Sequence, residues 1–141
     1  MTIASITTDI NIGPYKIPSN AQNMIMNNYA QRNNLSVEIV IPEPIMSNQL
    51  ATTIWLNKEF NFSQIIMSSF HQLPQENKYF VKILNNFENT IFHFAIEGLS
   101  GKGLEFLKKS QLESNFFKKA TIIDSTKTNW LNLFDDFKKE Q

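Results

Sequence analysis

Residues 91–96 read IFHFAI, and this short stretch decides the fold of the chain. All of its residues except His93 are apolar, and such a run is typical of a central β-strand that is covered on both faces. Outward from it in both directions, apolar runs of strand length alternate with helical patterns, and turn residues separate the two. This order predicts βαβ units and therefore an α/β fold with a mostly parallel sheet.

Four further runs complete a predicted sheet of five strands. They are Ala4–Ile12, Leu35–Ile41, Gln64–Ser68 and a short strand at Ala120–Ile123. Right-handed crossovers leave few arrangements of such strands, and we predict the order 2-1-3-4-5 with strand one in the centre. Leu35–Ile41 alternates apolar and polar residues cleanly, so we place it at an edge, with the IFHFAI strand inside the sheet.

Amphipathic helices connect these strands and should cover both faces of the sheet, which gives a three-layer domain. Ser19 followed by Gln22 predicts a capping box at the start of the first helix. Ser47 is a candidate cap for the second helix.

The last predicted helix presents four large apolar residues at helical spacing. A domain of this size covers such a stripe either by folding it down or by giving it to a partner. Closed two-fold symmetry is the commonest way to give it to a partner, so we predict a homodimer. The four residues are Trp130, Leu133, Phe134 and Phe137.

Length and composition exclude several classes of protein. A chain of 141 residues fits one domain, over residues 1–141, and can build its own core. It has no cysteine and only two histidines, so we expect neither a metal nor another cofactor. Thirteen basic residues balance thirteen acidic ones, which argues against nucleic-acid binding. No stretch approaches the roughly 20 apolar residues of a membrane span and the start lacks a signal peptide, so we expect a cytoplasmic protein.

The polar residues that follow the predicted strands are the candidate site. Ligands of open parallel sheets bind beyond the carboxyl ends of the strands, where the strand order reverses. Glu97 and Lys16 are the candidate catalytic residues, because partial burial would raise the pKa of Glu97 and Lys16 could hold an anion. We predict that both converge with Gln72 in one pocket. The substrate-binding candidates are Tyr15, Gln22, Glu43, Ser69, His71, Gln72, Ser100 and Lys102.

Several of these residues also have a purely structural explanation, and the sequence leaves both open. Glu97 could cap a neighbouring backbone group or pair with Lys16 or Lys102, and ion pairs shift pKa values as catalytic sites do. His71 could donate to a ligand or be a solvated loop residue. His93 lies inside a strand, where a hydrogen-bonded core histidine is expected.

The stretch Gly98–Gly103, GLSGKG, is predicted to be a loop that opens a helix. Its backbone amides and Lys102 could hold an anion there. The spacing differs from the P-loop pattern G-x-x-x-x-G-K-[ST], so an ordinary turn is the other explanation.

Four segments, PSNAQNMIMNNYAQRNNL, PEPIM, SSFHQLP and HFAIEGL, occur in the order and spacing of a known family. Over roughly residues 14–100 the chain resembles the sporadic carbohydrate cluster proteins, found in bacterial gene clusters for surface polysaccharides. The resemblance implies a role in making or modifying a surface sugar. His71 departs from the apolar residue of the pattern. The positions that fit it are Pro18, Gln22, Asn23, Tyr29, Glu43, Met46, Gln72, Leu73, Pro74, His93, Phe94 and Glu97.

More distantly, the chain resembles the catalytic domain of serine recombinases, whose strands end in Arg-x-Ser-Thr-x-x-Gln and Leu-Asp-Arg-Leu-x-Arg. Here YKIPSNAQ has Lys16 in place of the arginine and Pro18 in place of the nucleophilic serine. FHQLPQ has Gln72 and Gln75 in place of the two arginines. Phosphodiester transfer by a serine nucleophile and guanidinium clamps cannot run on this set. The resemblance implies a resolvase-like sheet and argues against recombinase activity.

Two functions of different classes follow. In the first, the protein serves bacterial surface polysaccharide biosynthesis and binds a polar sugar or nucleotide-sugar at the strand ends, whether or not it also modifies that ligand. Hydroxyl, amide and carboxyl groups suit the hydroxyls of a sugar. In the second, the chain is a non-catalytic interaction or regulatory domain. It would bind a carbohydrate-biosynthesis enzyme through Trp130 and Phe137 or through an exposed sheet edge.

Overall fold

The structure is a computed structural model that describes residues 2–8, 16–43, 50–74 and 76–126. Five strands and four helices lie within these ranges, together with one short 3₁₀ turn. The strands are β1 (Thr2–Thr8), β2 (Ile39–Glu43), β3 (Phe62–Met67), β4 (Ile91–Phe94) and β5 (Leu99–Lys102). The helices are α1 (Ser19–Arg32), α2 (Ala51–Phe60), α3 (Asn77–Asn86) and α4 (Leu104–Thr126), and the 3₁₀ turn is Phe70–Gln72.

The five strands form one sheet in the order β2-β1-β3-β4-β5. Strands β1 to β4 are parallel, and β5 joins β4 in the antiparallel direction. This confirms the α/β class and the mostly parallel sheet with the predicted order. The IFHFAI stretch supplies β4, which lies between β3 and β5, so its placement inside the sheet is also confirmed.

The identity of the fifth strand was predicted wrongly. Ala120–Ile123 belongs to α4, because no glycine or proline separates it from the helical residues before it. The fifth strand is instead Leu99–Lys102, inside the stretch GLSGKG that was predicted to be a helix-opening loop. Gly98, with φ of 66°, ends a tight turn that brings Leu99 opposite Phe94. The backbone of this stretch therefore forms a ladder with β4 and not an anion cradle.

Gly101 determines how α4 packs on this strand. A Cβ atom at that position would lie 2.6 Å from two ring carbons of Phe106. The ring of Phe106 stacks on that of Phe94, with 5.8 Å between centroids, and so continues the core over the backbone of β5. Only glycine leaves room for this contact.

The edge position of β2 is confirmed, although the strand runs four residues later than predicted at its start. Val40 is 52% exposed, and Pro42 lies within the strand opposite Thr7 of β1. Proline lacks the N–H of a ladder, so an edge strand with one unpaired side tolerates it.

The predicted cap of α1 is wrong. Pro18 occupies the N-cap position and Ser19 is already the first helical residue. The side chain of Gln22 forms no capping box, because its amide nitrogen donates to the carbonyls of Thr8 and Ile17. Ser47, the candidate cap of α2, lies outside the described residues.

The sheet separates two apolar clusters. Ile65 and Met67 of β3 belong to the larger cluster, which α2, α3 and α4 cover with residues such as Phe80. Ile66 belongs to the smaller cluster, which α1 covers with Met26. Successive residues of a strand point to opposite faces, so this division gives the three-layer arrangement. The carboxyl ends of β1 to β4 then open at one edge of the sheet.

Replacing Gly101 by alanine should lower the free energy of unfolding by about 1–3 kcal/mol, because the new methyl group overlaps the ring of Phe106. Chemical denaturation would measure it. Lys102 is exposed in the same strand and serves as the control. The free energy of unfolding of Lys102→Ala should lie within about 0.5 kcal/mol of the wild-type value. The double variant of Gly101→Ala and Phe106→Ala should lose less free energy of unfolding than the two single variants lose together, because the overlap with the ring is removed. Simple additivity would contradict the packing described here.

Candidate functional site

Four polar side chains lie at the carboxyl ends of the four parallel strands, one for each strand. We call Gln22, Glu43, Gln72 and Glu97 the strand-end side chains. The first three are buried, with 0%, 2% and 5% of their surface exposed, and Glu97 is half-buried. Buried polar groups need hydrogen-bond partners, so the partners of these four show what each side chain does.

At the end of β1, the amide of Gln22 bonds to the backbone of Thr8 in both directions. The Thr8 N–H donates to Oε1 at 2.9 Å, and Nε2 donates to the Thr8 carbonyl at 2.7 Å. Nε2 also donates to the carbonyl of Ile17 at 2.8 Å. Gln22 thus acts as the partner that a neighbouring strand would otherwise supply, and it fixes the start of α1 against β1.

At the end of β2, Glu43 is bonded to the first turn of α2. The backbone N–H and the hydroxyl of Thr53 both donate to Oε1 of Glu43, each at 2.7 Å. A carboxylate at a helix N-terminus is favourable because it satisfies a free N–H and complements the helix dipole. Leu50, at the N-cap of α2, provides no side-chain hydrogen bond, so Glu43 provides this stabilisation from the adjacent strand.

At the end of β3, Gln72 folds back on the strand. Its Oε1 accepts the N–H of Ser68 at 2.8 Å, and its Nε2 donates to the carbonyl of Ile6 in β1 at 3.4 Å. Ser69, directly before the 3₁₀ turn, accepts the N–H of His71 at 3.2 Å. Gln72 and Ser69 form a capping box that holds the turn in place.

After β4, Glu97 reaches across to this same turn. Its Oε1 accepts the N–H of Phe70 at 2.7 Å, and its Oε2 accepts the hydroxyl of Ser69 at 2.9 Å. Burial raises the pKa of Glu97 above its ordinary value of 4.5, although the two hydrogen bonds act in the opposite direction. Glu97 and Gln72 therefore meet at the residues that follow β3. Of the four strand-end side chains, Glu97 is the only one that keeps substantial exposure.

Lys16 is exposed and does not pair with Glu97. Among the described residues the one ion pair joins Lys78 to Glu76, so the structural alternative of a Lys16 or Lys102 pair with Glu97 is not observed. The structure places Lys16 two residues before the N-cap of α1, near the end of β1.

The two histidines lie on different sides of the sheet. His71 is half-buried, its Nδ1 lies 2.8 Å from the hydroxyl of Ser114 in α4, and burial lowers its pKa. His93 is a core histidine as predicted, since its Nδ1 lies 2.8 Å from the Tyr29 hydroxyl and its Nε2 lies 2.6 Å from Oε1 of Gln64. Because Oε1 can only accept, Nε2 carries the proton and Nδ1 accepts from Tyr29. Burial lowers the pKa of His93 as well.

The remaining predicted residues are dispersed. Ser100 is exposed on β5, opposite His93. Lys102 is exposed at the end of the same strand. Tyr15 lies outside the described residues.

Sequence reasoning missed three polar residues in this region. Thr53 and Ser114 are bonded to Glu43 and His71, which lie 10 and 43 residues away, so no local motif could reveal them. Ser68 is fully buried, and its hydroxyl has no hydrogen-bond partner among the described residues. The only signal for Ser68 was its place at the end of an apolar strand.

Within the described residues, no group of three or more His, Cys, Asp or Glu side chains could hold a metal ion. None of the helices in that part of the chain has the length and apolar character needed to cross a membrane.

Comparison with known proteins supports the fold. No family model matches the chain, and no curated protein is significantly similar to it in sequence. Among solved structures, it is similar to the N-terminal catalytic domain of TP901-1 integrase, with a TM-score of 0.58 and 11% identity. That match covers 89% of this chain and 98% of the integrase domain. It supports the resemblance to serine recombinases at the level of fold, whereas the resemblance to sporadic carbohydrate cluster proteins has no support from these comparisons.

Replacing Glu97 by glutamine should change how stability depends on pH. A carboxyl with a raised pKa stabilises the fold below its ordinary pKa of 4.5, and this contribution is lost as the pH rises through the folded-state value. The wild type should therefore lose stability relative to Glu97→Gln as the pH rises from 4.5 through the folded-state pKa. Denaturation curves across this range would measure it, with Glu38→Gln, an exposed change before β2, as the control. Parallel curves for wild type and Glu97→Gln would show that burial does not perturb this carboxyl.

Proposed function

We propose that this chain binds a sugar or nucleotide-sugar at the carboxyl ends of β3 and β4 and serves bacterial surface polysaccharide biosynthesis. The observation that carries the proposal is the carboxyl group of Glu97. Each of its oxygens is held by one hydrogen bond, from Ser69 or Phe70, while the side chain stays partly exposed. The ligand would therefore meet an acceptor that is already oriented.

The chemistry of this carboxyl suits a hydroxyl-bearing ligand. A carboxylate oxygen accepts more than one hydrogen bond, so Oε1 and Oε2 can each take a ligand hydroxyl besides their protein donor. Burial raises the pKa of Glu97 and so favours the protonated form, which can also donate. Sugar hydroxyls both donate and accept, and this carboxyl can match either role.

The sequence resemblance supports the biological setting of the proposal. Each of its four segments contains one strand-end side chain: Gln22 in the first, Glu43 in the second, Gln72 in the third and Glu97 in the fourth. The pattern thus coincides with the residues that build the carboxyl edge of the sheet. The resemblance supports the proposed role in carbohydrate biosynthesis, whereas the geometry of Glu97 supports the proposed sugar site.

The arrangement favours binding over glycoside hydrolysis. Hydrolysis needs two carboxylates that face one glycosidic bond. Glu43 is buried and bonded to Thr53, so it cannot act as the second carboxylate beside Glu97. Phosphodiester transfer is also disfavoured, because Pro18 and Gln72 stand where the recombinase pattern has a serine and an arginine.

Ligand-detected NMR with glucose, N-acetylglucosamine and glucuronate as separate probes would test the proposal. We expect saturable binding of at least one probe, weakened at least tenfold by Glu97→Gln because the charged acceptor is lost. The control Glu38→Gln should bind as the wild type does. Absence of binding by all three probes, or equal affinity in Glu97→Gln, would contradict the sugar site.

An interaction domain is the second candidate function, and α4 favours it. Leu112 and Phe116 lie four residues apart on this helix and are 67% and 69% exposed. Residues four apart share one helix face, so the two form an apolar surface that a partner could cover. The predicted apolar stripe at Trp130, Leu133, Phe134 and Phe137 lies outside the described residues.

We expect a second copy of the chain to cover this surface. Sedimentation of the wild type should then show a dimer, and the double change Leu112→Glu and Phe116→Glu should shift it to a monomer. Lys108→Gln and Lys109→Gln, exposed positions on the same helix, should leave the dimer intact. A wild type that stays monomeric at high concentration would contradict the homodimer.

A further inference from the structure

We propose that a groove between α2 and α3 is a nucleotide-binding site, separate from the carboxyl edge of the sheet. The groove has a volume of about 210 Å³ and is lined by Ala51, Ile54, Trp55, Lys58 and Lys82. Sites for drug-sized ligands span about 300–1,000 Å³, so this groove is suited to a single ring with its charged group. The inference does not rest on the proposed sugar site.

One face of α2 builds the floor of the groove. Ala51, Ile54, Trp55 and Lys58 follow the spacing i, i+3, i+4 and i+7, which places them on one side of the helix. Ile54 packs against the core, whereas the indole of Trp55 is 63% exposed. A large aromatic ring at a groove and open to solvent provides a stacking surface for another planar ring.

Two lysines from different helices line the same groove. Lys58 of α2 and Lys82 of α3 are both exposed, and neither forms an ion pair with any described residue. The nitrogen of Lys82 lies 5.8 Å from the centroid of Tyr79, a cation–π contact that orients it along α3. Glu76, an acidic residue at the start of α3, is paired with Lys78 at 3.7 Å. Both lysines line the groove and no acidic side chain of the described residues does, so its lining is positively charged.

An aromatic platform with two cations matches a planar ring that carries a phosphate. Stacking of a nucleobase on an aromatic side chain contributes about 1–3 kcal/mol, and lysines bind phosphate as point charges. A mononucleotide combines both groups, and a groove of this volume would cover only part of such a ligand. A nucleic-acid strand is disfavoured, because the whole chain has zero formal charge and lacks the basic field that a polyanion requires.

Fluorescence of Trp55 provides a direct readout. The chain has two tryptophans, so Trp130→Phe leaves Trp55 as the only one. In this background, UMP and AMP should each be titrated, with uridine and inorganic phosphate as probes for the two halves of the ligand. We expect saturable quenching by at least one mononucleotide, at least tenfold weaker binding of uridine, and no quenching by phosphate alone.

The lysines are tested in the same background. Lys58→Gln with Lys82→Gln should weaken mononucleotide binding at least tenfold, while Lys108→Gln with Lys109→Gln on α4 should leave it unchanged. Trp55→Ala removes the fluorescent residue, so it is introduced into the chain with Trp130 intact and measured by calorimetry. It should weaken mononucleotide binding by a similar factor. The sugar site is tested separately, by NMR with Glu97→Gln, so failure of this proposal and failure of the sugar site are distinguishable.

Three outcomes would overturn the inference. One is absence of saturable quenching by both mononucleotides up to millimolar concentration. Another is equal affinity in the double variant of Lys58 and Lys82. The third is binding of oligo-uridine much tighter than that of UMP, with a steep dependence on salt, which would indicate a nucleic-acid surface in place of a nucleotide site.

Discussion

Backbone groups at the carboxyl ends of buried parallel strands need hydrogen-bond partners, and the rest of this structure depends on how that need is met. Beyond the last paired residue, the sheet offers no ladder to a strand, yet the chain is still buried there. A buried N–H or C=O without a partner costs about 1–3 kcal/mol. Gln22 meets the need at Thr8 and Gln72 meets it at Ser68. Glu43 and Glu97 do the same for the segments that follow the neighbouring strands.

This constraint changes how the polar residues of the edge are understood. Amide and carboxyl groups that follow apolar strands look like ligand-binding residues, but Gln22, Glu43 and Gln72 are buried and bonded mainly to backbone. Glu97 has the same structural role and differs in remaining partly exposed. The fold is similar to that of a serine recombinase catalytic domain, while Pro18 starts a helix and Gln72 holds a strand end. A ligand at this edge would meet Glu97 first.

The sequence predicted the sheet and its order well, and it failed where long-range contacts decide the outcome. Apolar runs such as IFHFAI identify buried strands because burial on both faces requires them. The fifth strand was missed because Leu99–Lys102 has only one apolar residue and pairs with β4 through its backbone. The convergence of Gln72 and Glu97 followed from their positions after adjacent strands. Their hydrogen bonds to Ser68 and Phe70 could not be predicted, since they depend on the geometry of a 3₁₀ turn.

Amide hydrogen exchange of the wild-type protein, followed residue by residue by NMR, tests the central claim most directly. The N–H groups of Thr8, Ser68, Phe70 and Thr53 donate to the strand-end side chains. We predict that these four amides exchange as slowly as those in the middle of β1 and β3, because the side-chain bonds open only with the sheet. Exchange as fast as that of exposed loop amides would contradict the account. It would mean that the strand-end side chains do not hold the backbone and are available for another role.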